Sequence, residues 1–316
     1  MTGRMETFGL SDIGLVRERN EDQFLIADLK KSVVIHQTSL SYDDETPLMG
    51  ASQAKLFLVA DGISDSPAGE RASRIAIQGI VQYLLNTMHW LFRTDDDREE
   101  MFLEDLKAAV TATQQKIQHA ASLNPSQRES AASITMAYVV WPQAWLVHVG
   151  DSRAYLFRNQ QLMRLTHDQA SRQNLFDAGL MEEDSRKSPM QHVLSGLVGC
   201  HPGKLNPGIS RLKLSMHDKL LLCTDGLTEQ LSEPELSGLL SPKMSVCRIC
   251  HQLVGAANDA GGSDNTTVVL AHFTDREFTD SMQMEEAICR EDSVDRDREA
   301  AVQTCGAEIS IAPGAD

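Results

Sequence analysis

The chain has 316 residues, 41% hydrophobic and 23% charged, enough for one large domain or two small ones with a sizeable core. A net charge of −16 argues against nucleic acid as a partner, because phosphate backbones call for basic patches. No run reaches the roughly eighteen apolar residues of a membrane span, and the opening MTGRMETFGLSDIG lacks the apolar centre of a signal peptide, so the reading is a cytoplasmic protein with no membrane partner.

Strand signals dominate the first part: ETFGLSD, DQFLIAD, SVVIHQT and then LFLVAD. The polar stretch from Ser39 to Ala54 between the last two reads as a loop or hairpin excursion. Two long helical patterns follow. One runs from about Gly69 to Leu91, with Ala72, Ile75, Ala76, Ile80, Tyr83 and Leu84 on one side. The other runs from about Asp97 to Ala121, with Met101, Phe102, Leu106, Val110 and Ile117 on one stripe and the acidic DDDREE at its start, where a helix dipole favours negative charge.

Three strands come next, SITMAYVVW, AWLVHVG and SRAYLFRN, then a mixed region from Asp168 to Gly208. Two more strands (SRLKLSM and KLLLCTD), two short helices and a final strand, NTTVVLAHF, close the domain near Phe273. Runs of strands interrupted by one helical pair, with a second pair late, predict an α+β sandwich rather than an alternating doubly wound fold. The boundary is placed at 274. Residues 275–316 hold twelve Asp or Glu against four Arg, supply eight of the sixteen excess negative charges, and read as a disordered acidic tail.

The six cysteines, Cys200, Cys223, Cys247, Cys250, Cys289 and Cys305, are scattered, which suits reduced, mostly buried thiols better than a disulfide framework. CRICH, from Cys247 to His251, matches a haem-attachment pattern, and zinc is a further possibility. Val246, Ile249, Cys250, Leu253 and Val254 nevertheless share one helical face there, so the segment reads as helix core.

Several acids stand on the shoulders of apolar strands: Glu21 and Asp22 in RERNEDQF, Asp61-Gly62, Asp151 in HVGDSRAYL, Asp225-Gly226, and Asp264 in GGSDNTTVV. A single Asp-Gly is ordinarily a turn. Five such sites are more than turns require. Carboxylates with free carbonyls and no His/Cys set make a hard-oxygen site suited to Mg²⁺ or Mn²⁺. Shared carboxylates can hold two ions about 3.5–4 Å apart and turn a bridging water into a nucleophile.

In chain order, GLVRERNEDQF, LVADGI, HVGDSRAYLFRNQQLMRLTHDQA, LLLCTDGLTEQL and GGSDNTTVVL resemble the motifs of the PPM family, the protein phosphatase 2C-like metal-dependent Ser/Thr phosphatases, of bacterial type. The resemblance spans about Met5 to Phe273. It implies two central antiparallel β-sheets packed face to face, flanked by helical pairs, with the metals at one end. It also implies hydrolysis of phosphoserine or phosphothreonine on a protein by a metal-bridging hydroxide, the partner being the substrate of a Ser/Thr kinase.

Roles follow residue by residue. Asp61 would bridge two tightly held Mn²⁺ or Mg²⁺ ions, with Glu21 and the Gly62 carbonyl on one and Asp225 and Asp264 on the other. Asp22 would hold metal-bound water, Arg17 the substrate phosphate, Asn265 the Asp264 turn, and Asp151 a third, weaker ion. The pattern departs from the family at Ser64-Asp65, where glycines are usual, and in SAASIT, around Ala131-Ala132, where a Gly-Thr-Thr motif is usual before the strand at Ile134. No histidine follows Gly62 to act as general acid. The altered loops motivate two other readings: a weakly active or inactive scaffold that binds phosphoproteins, and a partner-switching phosphatase of a transcription regulator.

Overall fold

The segments with the densest apolar runs become the central strands of two sheets. A computed structural model describes residues 4–30, 32–34, 47–49, 54–63, 68–86, 96–123, 131–169, 196–199 and 205–274. One sheet has the order β1 (Arg4–Asp12), β13 (Thr266–Thr274), β12 (Lys219–Cys223), β8 (Arg153–Arg158) and β9 (Gln161–Arg164). The other runs β11 (Gly208–Lys213), β7 (Gln143–Val149), β6 (Ala131–Val140), β5 (Ala54–Ile63) and β2 (Gln23–Leu29), with the short β10 (Val198–Gly199) pairing β6. All these pairings are antiparallel. A ribbon pairs β3 (Ser32–Val34) with β4 (Pro47–Met49), the latter inside the expected excursion, most of which lies outside the described residues.

The helices are α1 (Ala68–Asn86), α2 (Asp96–Leu123), α3 (Asp225–Thr228), α4 (Glu233–Leu240) and α5 (Val246–Asp259). Side chains alternate across each strand, and in the central strands β5, β6, β7, β8, β12 and β13 both directions are buried. In β5, Phe57 and Val59 join Leu146, Leu156, Leu220, Leu222 and Phe273 in the layer between the sheets. Leu56 and Leu58 face the other way, onto Ile80 of α1 and Leu106 of α2. In β12, Leu221 and Cys223 pack beneath Ile249, Cys250 and Leu253 of α5. The result is the expected α–β–β–α sandwich. It explains why the strands read as continuous apolar runs instead of alternating ones.

Both long helices lie where periodicity places them. The stripe of α2 is narrower than expected: Phe102, Leu106, Val110 and Ile117 are buried, while Met101 is 53% exposed, because one residue along a helix turns the side chain about 100° away from the core. Phe102 anchors that contact with edge-on packing against Tyr138 and Trp145. CRICH is helix core, with Cys247 and Cys250 buried and His251 tilted against Phe8. Cys223, Cys247 and Cys250 are buried thiols outside any disulfide; Cys200, Cys289 and Cys305 lie outside the described residues, as does the acidic tail. Among the described residues, no helix is long and apolar enough to cross a membrane.

The register sets the position of the site. Asp61 near the end of β5 pairs with Ser133 near the start of β6, Ile134 pairs with Val149 at the end of β7, and Cys223 at the end of β12 pairs with Val268 and Arg153. The acids of the sequence motifs therefore converge on one end of the sandwich.

Candidate metal centre

Three of the predicted acids meet. Asp61 on β5, Asp225 at the start of α3 and Asp151 in the break between β7 and β8 each offer a carboxylate oxygen, and these atoms lie within 4.8 Å of one another. Burial alone disfavours the charged form of each, and their mutual repulsion adds to it. Asp61 is pushed well above the usual carboxylate range by burial and then by Asp225, Asp22 and Asp151. Asp225 rises likewise through burial, Asp151 and Glu229. Asp151 rises to about 6 through burial and Asp168.

Glu21 and Asp264 stand outside this triad. Asp264 holds Arg17, whose Nη2 donates to Oδ2 at 2.6 Å, and its Oδ1 accepts the Asn265 N–H at 2.8 Å. That bond raises the Arg17 pKa further. Burial lifts Glu21 to about 7 against the opposing pull of Arg17.

Glu21 is nevertheless tied to the triad through the backbone, since Gly62 N donates to its carbonyl at 3.2 Å. Gly62 has to be glycine here: a Cβ would sit 2.1 Å from the Gly69 carbonyl oxygen and 2.9 Å from that of Glu21. Asp22 is buried, its Oδ2 accepts from Thr224 Oγ1 at 2.8 Å, and burial lifts it to about 7.

Asn265 joins two distant stretches. Its Oδ1 accepts the Glu21 N–H at 2.9 Å, and its Nδ2 donates to the carbonyls of Ile13 and Arg19 at 2.9 and 2.8 Å. The loop carrying Arg17 and Glu21 is thereby pinned to the turn carrying Asp264.

The Asp151 break has its own support. Gly150 adopts φ +111, and a Cβ there would lie 2.3 Å from Ser133 Cβ. Beneath it, His148 Nε2 is 3.0 Å from the His167 carbonyl, which can only accept, so Nε2 carries the proton and Nδ1 accepts from Thr135 Oγ1 at 2.9 Å. Burial depresses His148 to about 4 and keeps it neutral. Ser152 Oγ completes the chain, 2.9 Å from Thr135 Oγ1. Asp168 of the LTHD stretch is a brace: Arg153 grips it with Nε at 3.1 Å and Nη2 at 2.7 Å, and Arg164 adds a third bond.

Sequence reasoning missed Thr224, Ser73 and Ser133. Thr224 bonds Asp22, and Ser73 Oγ donates to the Glu21 carbonyl at 2.5 Å. Only Thr224 carried a signal, standing directly before Asp225.

The model of the family described as protein phosphatase 2C matches residues 35–258. The chain belongs to the protein phosphatase 2C family. The serine/threonine protein phosphatase PstP of Mycobacterium tuberculosis is 28% identical over 270 residues, which cover 85% of this chain and 45% of PstP. The chain thus spans about half the length of that relative. The serine/threonine phosphatase stp of Listeria welshimeri is 27% identical over 261 residues, covering 82% of this chain and 92% of its own. Among solved structures, the catalytic domain of PstP in complex with two manganese ions superposes with a TM-score of 0.65 at 26% identity, over 86% of this chain and 99% of that one. The shared fold is the phosphatase 2C α+β sandwich found above.

The residues present fit divalent cations. Asp151 Oδ1 is buried with no hydrogen-bond partner. All the donors are hard oxygens, and among the described residues the like charges of this buried end have the half-exposed Arg17 beside them. That combination is stable when a cation neutralises it.

Proposed function

We propose that this chain is a metal-dependent protein serine/threonine phosphatase that hydrolyses phosphoserine and phosphothreonine. The observation that carries the reading is the meeting of Asp61, Asp151 and Asp225 within 4.8 Å, at carboxylates whose protons bind more tightly than usual. Asp61, Asp225, Glu21, Asp264 and the Gly62 carbonyl would hold two Mn²⁺ or Mg²⁺ ions, and Asp151 a third, weaker one. When bound, such ions supply an acidified water as nucleophile and neutralise charge on the phosphoryl group.

The protein's own groups do the rest. The Arg17 guanidinium, 47% exposed at the mouth, swings from Asp264 to the substrate phosphate, where its planar fork matches two phosphate oxygens. Asp22, fixed by Thr224, orients water beside Asp61. The Asn265 clamp keeps Glu21 and Asp264 at one spacing, so the site does not reorganise as charge develops. Cys223 takes no part: burial pushes its thiol up to about 12, and it packs in the α5 layer.

The substrate class is a phosphorylated protein, the product of a Ser/Thr kinase, and the protein is placed in the cytoplasm with no nucleic-acid or membrane partner. The PstP and stp relatives, both named serine/threonine phosphatases, support the reading. The test is release of phosphate from a phosphothreonine peptide by the purified chain, with and without Mn²⁺. Mn²⁺-dependent turnover abolished by chelator is the expected result; peptide binding with no turnover at saturating Mn²⁺ would favour the scaffold.

A further inference from the structure

Ser133 is fully buried, yet its Oγ has no hydrogen-bond partner. It stands directly opposite Asp61 in the β5–β6 ladder, on the face between the sheets. On its other side Gly150 packs against it so closely that a Cβ on that glycine would meet Ser133 Cβ at 2.3 Å. The next residue, Asp151, carries a second unpartnered buried oxygen, Oδ1.

Two residues along the same face of β6, Thr135 shows what a buried hydroxyl on this strand ordinarily does. Its Oγ1 lies within hydrogen-bond distance of His148 Nδ1, the Ser152 carbonyl and Ser152 Oγ. Ser133 has the same surroundings of strand and burial but none of those bonds. A buried hydroxyl left unpaired works against folding, and alanine would fill the position without that cost. The Ser133 side chain already acts on the Asp151 carboxylate, but without a hydrogen bond of ordinary geometry; a donor and an acceptor so placed, next to a carboxylate cluster, point to a bond completed when the cluster is charged with its ions.

We propose that Ser133 is a positioning residue of the site: its hydroxyl donates to the Asp151 carboxylate and fixes which of its oxygens faces the third, weakly held divalent ion. This rests on the function proposed above. The neighbouring Ala131 and Ala132 carry no side-chain polar atoms, so on this stretch Ser133 alone supplies a hydroxyl before Thr135.

The test uses the full chain with Ser133→Ala and Ser133→Thr. Stripped of metal by chelator, the Ala variant should melt at the same temperature as wild type or about 2–4 °C higher, because an orphan hydroxyl has been removed. Titrated calorimetrically with Mn²⁺, it should keep the tight class and weaken the weak class about tenfold. Its turnover of a phosphothreonine peptide should fall about tenfold more than its turnover of an aryl phosphate, whose aryloxide leaves without a proton. The Thr variant should restore both. A lower melting temperature or failure to fold in the Ala variant would show a structural role and overturn the proposal. So would unchanged weak-class binding. A wild-type chain that hydrolyses neither substrate would remove the function proposed above, and the calorimetric comparison would still decide the role of Ser133.

Discussion

Buried charge is handled in opposite ways at the two ends of this sandwich. At the far end, three ionised groups sunk into the fold, Asp218, Lys219 and Glu6, each have partners. Asp218, 1% exposed, accepts two bonds from Arg158 and one from the Ser215 N–H. Lys219 gives its ammonium protons to the carbonyls of Leu240 and Pro242, where α4 ends. Glu6 accepts the Val246 N–H at the first turn of α5, with His272 3.9 Å away. At the near end, burial raises the pKa of Asp22, Asp61, Asp151 and Asp225 alike, and neighbouring aspartates raise Asp61 and Asp225 further. One end of the molecule is complete as a folded chain; the other is completed by cations. Burial is common to both, so what marks function is the sign of the neighbours.

The sharpest way to break this comparison is one substitution made at each end. Asp61→Asn or Asp225→Asn should cost at least about a hundredfold in Mn²⁺-dependent phosphatase turnover, since a charged ligand is lost. The same change should leave the metal-free protein as stable as wild type or more so, because it relieves repulsion. Asp218→Asn should do the reverse, leaving turnover largely intact while lowering stability by about 2 kcal/mol through the weakened Arg158 pair. Denaturant melts of the three variants in chelator decide the point: a destabilised Asp61→Asn and a neutral Asp218→Asn would sink the contrast.

A pH series sharpens it. Glu21 and Asp22 titrate at about 7 when folded, against about 4 for a carboxyl in an unfolded chain. The folded protein therefore holds protons that the unfolded chain has already released, and stability falls as pH rises through that window, with the loss complete above about 7. The metal-free protein should melt higher at pH 5 than at pH 8, and saturating Mn²⁺ should remove or reverse the difference. A melting temperature that climbs from pH 5 to pH 8 in chelator would contradict the shifts.

Smaller effects separate roles within the near end. Asp151→Ala should keep two tightly held ions by calorimetry and lose about tenfold more activity on a phosphothreonine peptide than on an aryl phosphate. Equal losses on both substrates would remove the third-ion role. The smallest change is expected at Glu6→Gln, which keeps an acceptor for the Val246 N–H: turnover unchanged and stability shifted by less than about 1 kcal/mol.

Much of this was legible in the sequence because it is local. The helices α1 and α2 follow from a 3.6-residue period, and the doubly buried strands from unbroken apolar runs. β9 was not foreseen. Its hairpin turns at Asn159 and Gln160, with φ of 52 and 63, and no glycine stands there to announce it. The acids were legible as a set because each borders a strand and several have a glycine beside them. Which of them touch was not, since Asp61, Asp151 and Asp225 meet only through strand register. Ser133 was invisible for the same reason: a serine in an apolar strand says nothing until its cross-strand neighbour is known to be Asp61.

The Asn265 clamp has a consequence in time. It bonds Glu21 across 244 residues of chain, and β13, which follows it, forms the partner of β1. Made at about 5–20 residues per second, the first strand waits without its neighbour until the last strand emerges. The carboxylates of the first loop are therefore not gathered around a cation until β13 has been made, and the metal site is completed only then. Ribosome-held chains that stop before Asp264 should bind Mn²⁺ no more tightly than an unfolded polypeptide, whereas chains extended through β13 should take up the tight pair.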